Sequence, residues 1–302
     1  MFNGVSGFNG SVVEELPQSV VAKSGKSRRW LSRRSALKSL FAAGCAALGW
    51  SVAVEPFWLE LSKQQLTLPN LPTQWIGKRL VHISDLHVGR TNHQHLLNAM
   101  QRVNELKPDV LAITGDFVDK DFPVDKRLDE VLKVLTPAQV ATVACLGNHD
   151  FGEDWSKLSV ADQVTDALHR FGIRILRNET EDIDGIDFLG LEDYWSPLFA
   201  PSPVLSLANP ERASICLCHN PDAYDAADWS LFRGLILSGH THGGQCKPPF
   251  FRPPLLPVEN DRYVSGFVDL SMGQQMYISR GVGYSLRARF NCRPEITIFE
   301  MA

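Results

Sequence analysis

The sequence lacks long apolar runs and the Cys-x-x-Cys motif. No stretch reaches twenty consecutive apolar residues, which excludes a protein that crosses a membrane several times. There is no Cys-x-x-Cys pair, and we expect most of the six cysteines to be buried thiols. Internal repeats and a flexible Gly/Ser linker are also missing. With 44% hydrophobic and 21% charged residues, the composition is that of a globular protein and excludes disorder, collagen and coiled coil.

Basic residues are few outside the N-terminal region. The first 53 residues hold seven of the 30 Lys and Arg and two of the 34 Asp and Glu, a net charge of +5. The other 249 residues therefore hold 23 basic and 32 acidic residues, a net charge of −9. This acidic body lacks the clustered cations that non-specific phosphate-backbone binding requires, so we expect no specific nucleic-acid partner.

The N-terminal region resembles an export signal. Arg33 and Arg34 stand in the sequence Ser-Arg-Arg-Ser-Ala-Leu-Lys, which resembles a twin-arginine signal although Ala36 replaces the usual Phe. The charge-free run 39–54 would span about 24 Å as a helix, which is short of a bilayer core and close to signal-peptide length. We expect residues 1–54 to be a basic region with a signal or an uncleaved anchor. The resemblance implies the twin-arginine export machinery as a partner, and a location in the periplasm or on the outer face of the cytoplasmic membrane.

The rest of the chain is interpreted as one α/β domain after a connector. Residues 55–75 are interpreted as the connector, so the domain covers residues 76–302. Short β-rich runs alternate with helical patterns, as in βαβ units, and β-rich runs dominate later. The predicted strands are 79–84, 110–114, 141–146, 188–191, 214–218, 235–238, 275–280 and 295–300. The predicted helices are 94–106, 125–135 and 161–171.

Carboxylates, an amide and histidines directly follow several predicted strands. In an open α/β sheet, ligands bind at the carboxyl ends of the strands, so we expect these side chains to meet. In an extended segment, residues i and i+2 point to the same side, which would bring Asp85 near His87 and His240 near His242. The candidate ligands are Asp85, His87, Asp116, Asn148, His219, His240 and His242.

This ligand set predicts a centre of two metal ions. Carboxylate and imidazole together suit borderline divalent ions such as Mn, Fe and Zn. Seven ligands are too many for one four-coordinate zinc, but they suffice for two ions if one carboxylate bridges. Two ions about 3.5–4 Å apart can hold the attacking and leaving oxygens of an in-line displacement at phosphorus. The set therefore favours hydrolysis at phosphorus.

The order of these motifs resembles the calcineurin-like metallophosphoesterase family. The motifs are Asp-x-His, Gly-Asp, Gly-Asn-His-Asp, a lone His and Gly-His-Thr-His, and the resemblance extends from about residue 79 to the C-terminus. Segments 243–245, 279–281 and 293–295 look like a bacterial phosphodiesterase subgroup that often carries a twin-arginine leader. The resemblance implies an α/β fold, a four-layer αββα sandwich of two mixed β-sheets flanked by helices.

The resemblance also implies a role for each residue of the site. The two ions would share Asp116, and the other ligands would be Asp85, His87 and His242 for one ion and Asn148, His219 and His240 for the other. A hydroxide bridging the ions would attack phosphorus in line. His149 would stabilise or protonate the leaving oxygen, and Asp150 would orient the imidazole of His149.

Two departures from related groups narrow the prediction. Asp119 stands where purple acid phosphatases have a tyrosine, so a tyrosinate-bound ferric ion is not expected. Lys120 and Asp150 stand where protein Ser/Thr phosphatases have Arg and Glu, so a protein phosphatase is not expected.

Two segments near the motifs leave alternatives open. Residues 247–257 are rich in proline, phenylalanine and leucine and predict a stiff loop after the Gly-His-Thr-His motif. This loop could touch acyl chains or a membrane surface, or it could pack onto the domain. Trp195 could line the site or belong to the core.

The sequence predicts a metal-dependent phosphodiesterase with a phosphodiester substrate. The alternative is a pyrophosphohydrolase that acts on a nucleotide-sugar lipid or another lipid-linked substrate, with the same site and a different rim. A non-catalytic metal-binding scaffold at the membrane is a third hypothesis, which the intact His149 and Asp150 disfavour. The acidic body disfavours a nuclease.

Overall fold

The computed structural model describes residues 32–135 and 140–302, so most of the predicted basic region lies outside the described residues. The chain divides into two compact units, residues 1–43 and 44–302. Helix α1 (Arg33–Ala53) begins at the paired arginines. Among the described residues, α1 and the turn after it, Arg33–Phe57, form the one segment that is long and apolar enough to span a membrane. A signal sequence near the N-terminus meets the same criteria of length and composition.

The first sheet has six strands and is mixed. Its strands are β1 (Glu60–Leu66), β2 (Arg79–Ser84), β3 (Val110–Thr114), β4 (Ala141–Cys145), β5 (Arg174–Ile175) and β12 (Glu295–Met301). They lie in the order β1-β12-β2-β3-β4-β5. β1 and β12 are parallel to each other, β12 is antiparallel to β2, and β2 to β5 are parallel. The parallel strands β2, β3 and β4 therefore end at one edge.

The second sheet also has six strands and is mixed. Its strands are β6 (Glu179–Ile183), β7 (Ile186–Gly190), β8 (Ala213–Leu217), β9 (Leu235–Ser238), β10 (Gly266–Asp269) and β11 (Gln275–Ile278). They lie in the order β10-β11-β9-β8-β7-β6, with antiparallel pairs at both outer ends and parallel strands between them. The parallel strands β8 and β9 therefore share an edge as well.

Helices cover the outer faces of both sheets, and one core lies between the sheets. Successive side chains of β2 point to opposite faces of the first sheet: Val81 packs with the helices, and Leu80 packs with the second sheet. The prediction of a four-layer sandwich of two mixed sheets flanked by helices is confirmed. The helices on the first sheet are α2 (His93–Leu106), α3 (Lys126–Val134) and α4 (Leu158–Arg170), and the helix on the second is α5 (Pro201–Leu205).

The expected connector contains a strand. All eight predicted strands and all three predicted helices are present, with ends within three residues of the expected ones. Residues 60–66, however, pair along their whole length with β12, so they belong to the first sheet and not to a connector. β1 is an outer strand with a largely polar sequence, and such a strand carries little apolar alternation to reveal it. Strands β5, β6 and β10, which were also not predicted, are outer strands too.

Candidate metal centre

The candidate ligands meet at the carboxyl ends of the central parallel strands. The loops after β2, β3, β4, β8 and β9 carry them, which is the edge where open α/β sheets bind ligands. Each side chain is at most 5% exposed. The structure thus brings together every residue of the predicted ligand set: Asp85, His87, Asp116, Asn148, His219, His240 and His242.

The backbone is left-handed at five of these residues. The φ angle lies between 46° and 69° at Asp85, His87, Asp116, His240 and His242. Asp85 and His87 therefore do not converge as neighbours in an extended segment, and that expectation is wrong. Positive φ is costly for residues with a β-carbon, and the surrounding structure must hold such residues in place. The ligand geometry is consequently fixed by the fold and not by the local sequence.

Asp85, His87 and His242 form the first group of ligands. Nε2 of His242 lies 3.0 Å from Nε2 of His87 and 3.4 Å from Oδ1 of Asp85. Nε2 of His87 lies 3.9 Å from the same carboxylate oxygen. Three buried ligand atoms thus surround one small volume, as a single divalent ion requires.

The second group consists of Asp116, Asn148, His219 and His240. Nδ1 of His219 donates to the carbonyl oxygen of Thr114 at 2.7 Å, so Nε2 is the ring nitrogen left to bind a metal ion. That buried Nε2 has no hydrogen-bond partner and lies 3.2 Å from Oδ2 of Asp116. Nε2 of His240 donates to the carbonyl oxygen of Pro257, which leaves Nδ1 as an acceptor 2.9 Å from Oδ1 of Asn148. A bound cation would satisfy these facing acceptors.

Asp116 lies between the two groups. Its Oδ2 is 3.2 Å from Nε2 of His219 and 3.5 Å from Nε2 of His87. Burial alone would raise the pKa of Asp116, but the neighbouring His219 outweighs burial and lowers this pKa well below its usual range. An ionised carboxylate in this position can serve both groups. The oxygen and imidazole donors therefore fit two divalent ions that share Asp116.

Four of the seven ligands, Asp116, Asn148, His240 and His242, line a cleft of about 560 Å³. Part of its wall is aromatic: the rings of Trp155 and Trp195 are 6.0 Å apart, and the ring of Trp195 lies 4.6 Å from that of His240. Another part is aliphatic and includes Leu255 and Leu256 of the proline-rich loop. Trp195 thus lines the site and is not a core residue, and the loop forms part of the rim.

Comparison with known proteins gives the family. The family model of calcineurin-like phosphoesterases matches residues 78–244. The chain belongs to this family. Phosphodiesterase YaeI of Escherichia coli (strain K12) is 32% identical over 282 residues, which cover 90% of this chain and 99% of YaeI. The uncharacterized metallophosphoesterase YkuE of Bacillus subtilis (strain 168) is 29% identical over 287 residues, which cover 90% of this chain and 98% of YkuE.

A third relative has a lipid-related name. UDP-2,3-diacylglucosamine pyrophosphatase LpxG of Chlamydia muridarum (strain MoPn / Nigg) is 26% identical over 315 residues, which cover 87% of this chain and 95% of LpxG. Together these findings confirm the predicted family and the predicted enzyme class. The chain is a metal-dependent phosphoester hydrolase.

His149 lies beside a carboxylate that the family motifs do not include. The backbone N–H of Lys120 donates to Nδ1 of His149 at 3.2 Å, so the ring proton lies on Nε2. Burial lowers the pKa of His149 to about 4, which keeps the imidazole neutral. Oδ2 of Asp119 lies 3.8 Å from Nδ1 of His149 and 3.5 Å from Nδ1 of His87. The sequence motifs did not predict that Asp119 lies beside these two imidazoles. Its position three residues after Asp116 was a usable signal.

Asp150 does not orient His149, contrary to the expectation from the resemblance. Its carboxylate accepts hydrogen bonds at 2.8–3.2 Å from the backbone N–H groups of Phe117, Val118 and Gly147. Burial raises the pKa of Asp150 to about 7. Asp150 therefore ties the loop after β3 to the loop after β4, both of which carry ligands. Its role is to hold these loops together.

Proposed function

We propose that the chain is a phosphodiesterase that works with two divalent metal ions. The observation that carries this proposal is the pair of buried ligand groups that share Asp116. Two bound ions of the Mn, Fe or Zn class would supply the activation of a water molecule and would neutralise charge on the phosphoryl oxygens. In this proposal Asp85, His87 and His242 hold one ion, and Asn148, His219 and His240 hold the other.

In this proposal His149 stabilises the leaving oxygen. Its side chain is 14% exposed, so it can be reached from the cleft that it lines. The hydrogen bond from Lys120 leaves the Nε2 proton free to be donated. A neutral imidazole can donate this hydrogen bond throughout the neutral pH range, because burial lowers the pKa of His149 to about 4.

Turnover of bis-p-nitrophenyl phosphate with Mn²⁺ tests the proposal. We expect the wild-type chain to hydrolyse it, and we expect His149→Ala to lower kcat by about 10²-fold or more while Mn²⁺ affinity stays the same. His169→Ala, which removes an exposed histidine of α4, is the control and should change neither quantity. An inactive wild type with Mn²⁺, Fe²⁺ and Zn²⁺ would contradict the phosphodiesterase. Unchanged kcat in His149→Ala would contradict the role of His149.

The second candidate function is hydrolysis of a lipid-linked pyrophosphate, such as a nucleotide-sugar lipid. Leu255, Leu256 and Leu286 give the cleft an aliphatic wall that would suit acyl chains, and the relative LpxG is named for such a substrate. We expect a higher kcat/KM for an acylated pyrophosphate than for its deacylated form, measured in mixed micelles. Equal values for the two compounds would rule this candidate out.

We further propose that α1 is an export signal or a membrane anchor. The paired Arg33 and Arg34 at the start of an apolar helix support export by the twin-arginine machinery to the periplasm or to the outer face of the cytoplasmic membrane. We expect Arg33→Lys with Arg34→Lys to leave the protein in the cytoplasm in cell fractionation. Unaltered fractionation of that variant would contradict the proposed export route.

A further inference from the structure

Four large apolar side chains stand exposed on two segments that line the cleft, the proline-rich loop 247–257 and segment 285–293. Phe250 is fully exposed, and Phe251, Leu255 and Leu286 are 71%, 78% and 63% exposed. Leu255 and Leu286 also line the cleft itself. These four residues form the rim surface. Three of the four lie on one short loop, and several large apolar residues in contact with water indicate a surface that binds something apolar.

The two segments that carry the rim surface are joined to each other. The backbone N–H of Lys247 donates to the carbonyl oxygen of Phe290 at 2.8 Å, and the N–H of Phe290 donates to the carbonyl oxygen of Gln245 at 2.9 Å. Pro253 is buried next to Gly244, which holds the middle of the proline-rich loop against the body. The loop is therefore fixed in place, although its phenylalanines project into solvent.

The carboxyl end of α1 is attached to the same part of the body. The backbone N–H of Arg289 donates to the carbonyl oxygen of Ser51 at 2.8 Å. The carboxylate of Glu55, which is buried, accepts from the backbone N–H of Cys292 at 2.6 Å and from the indole N–H of Trp50 at 2.8 Å. The segment 285–293 thus contacts the end of the apolar helix and also contributes Leu286 to the rim surface.

Aromatic and cationic side chains surround this attachment. The guanidinium of Arg293 lies 3.8 Å from the ring centroid of Trp58, and that of Arg287 lies 5.3 Å from that of Phe57. Trp58 is 45% exposed, so the ring is only half covered. Tryptophan next to the end of an apolar helix is typical of the membrane–water interface. Cations at this level also favour an anionic lipid surface.

We propose that the rim surface inserts into the interface of an anionic bilayer beside the end of α1, so that the cleft opens at the membrane surface. This inference rests on the membrane-anchor form of the proposed function. It follows from the attachment, because a helix held in a bilayer keeps segment 285–293 and the joined loop close to the lipid. A substrate with acyl chains would then reach the ligand groups without leaving the bilayer.

The depth of single spin labels tests this arrangement. The full chain is placed in vesicles of phosphatidylethanolamine and phosphatidylglycerol, in a Cys45→Ser and Cys246→Ser background in which the remaining cysteines are buried. Labels are attached to Leu48→Cys in α1 and to Phe250→Cys in the rim surface. The matched control is Ile76→Cys, an exposed apolar position that precedes β2 and therefore lies at the edge opposite the ligands.

We expect the Leu48 and Phe250 labels to be relaxed by oxygen, which concentrates in lipid, and shielded from a water-soluble nickel chelate. The Ile76 label should show the opposite result: strong relaxation by the nickel chelate and weak relaxation by oxygen. A lipid-buried Leu48 label with a Phe250 label open to the chelate would overturn the proposal and leave the anchor intact. If the chelate relaxes both the Leu48 and the Phe250 labels, the membrane anchor and the proposal would both be contradicted. A Phe250 label shielded from both reagents would indicate a protein contact, such as a second copy, and would also overturn it.

Two further measurements keep these outcomes separate from other failures. Thermal unfolding of each labelled chain establishes that it is folded. Turnover of bis-p-nitrophenyl phosphate by the same samples reports on the phosphodiesterase, because this soluble diester does not need the rim surface. An inactive chain with a lipid-buried Phe250 label would contradict the proposed activity while supporting the membrane contact.

Discussion

Asp119 lies beside two histidines of the site but belongs to none of the sequence motifs. Its carboxylate lies near Nδ1 of both His87 and His149 and accepts from Nε of Arg90 at 2.6 Å. Burial would raise the pKa of Asp119, but the neighbouring His87 and the hydrogen bonds from Arg90 outweigh burial and lower this pKa. An ionised carboxylate behind a ligand imidazole fixes the ring and increases its basicity. We infer that Asp119 positions His87 for metal binding.

Asp119→Asn should weaken metal binding. The neutral amide removes the charge behind His87, so we expect Mn²⁺ affinity to fall by about 10-fold or more in a calorimetric titration. Asp121→Asn is the control, because the exposed Asp121 shares Arg90 but has neither imidazole as a partner in the described contacts. Equal affinities of the two variants would contradict the positioning role.

Asp150→Asn should destabilise the fold. Each carboxylate oxygen accepts from backbone N–H groups, and an asparagine must turn its own NH₂ toward at least one of them. A buried donor left without an acceptor costs about 1–3 kcal/mol, so the free energy of unfolding in urea should fall by this amount. Asp154→Asn, at an exposed position nearby, should have no effect. A variant as stable as wild type would show that Asp150 does not hold the loops together.

At the scale of the elements, the loops after the strands need glycine for close approach. A β-carbon at Gly239 would overlap Oγ of Ser84 and the carboxylate of Asp85. The loop after β9 therefore touches the loop after β2, and this contact places His240 near Asp85: the backbone N–H of His240 donates to Oδ1 of Asp85 at 3.1 Å.

Gly239→Ala should damage the first ligand group. The added methyl group must displace Asp85, so we expect turnover to fall by about 10²-fold, as misplacement by about 1 Å can cause. Gly49→Ala adds a methyl group where no atom lies within 4 Å and is the control. Wild-type turnover in Gly239→Ala would show that the close approach is not needed.

The sequence predicted the order of most elements and which side chains would meet at the ends of the strands, because each motif directly follows an apolar strand. It could not predict the left-handed backbone at Asp85 and His87, since tertiary contacts impose that conformation. The hydrogen bonds of Asp150 were also beyond prediction, because their donors are backbone groups that any residue carries. β1 was not predicted for a third reason: an outer strand with a polar sequence has no distinctive pattern.

At the scale of the whole molecule, metal removal should lower thermal stability. A ligand at 100 times its dissociation constant stabilises the folded state by about 2.7 kcal/mol, which corresponds to about 5–10 °C in Tm for a domain of this size. We therefore expect EDTA to lower the Tm measured by calorimetry by at least this amount relative to Mn²⁺. In Asp116→Asn, which lacks the shared carboxylate, the difference should largely disappear. An equal Tm in EDTA and Mn²⁺ for wild type would argue against metal binding.

The position of β12 has a consequence for synthesis on the ribosome. β12 lies between β1 and β2 in the first sheet, yet it follows every other strand along the chain. While the nascent chain grows, the edges of β1 and β2 that will face β12 have no partner, and unpaired strand edges are prone to aggregate. The first sheet cannot close until residues 295–301 have left the exit tunnel. We therefore expect the nascent chain to be exposed to aggregation until translation has passed its last strand.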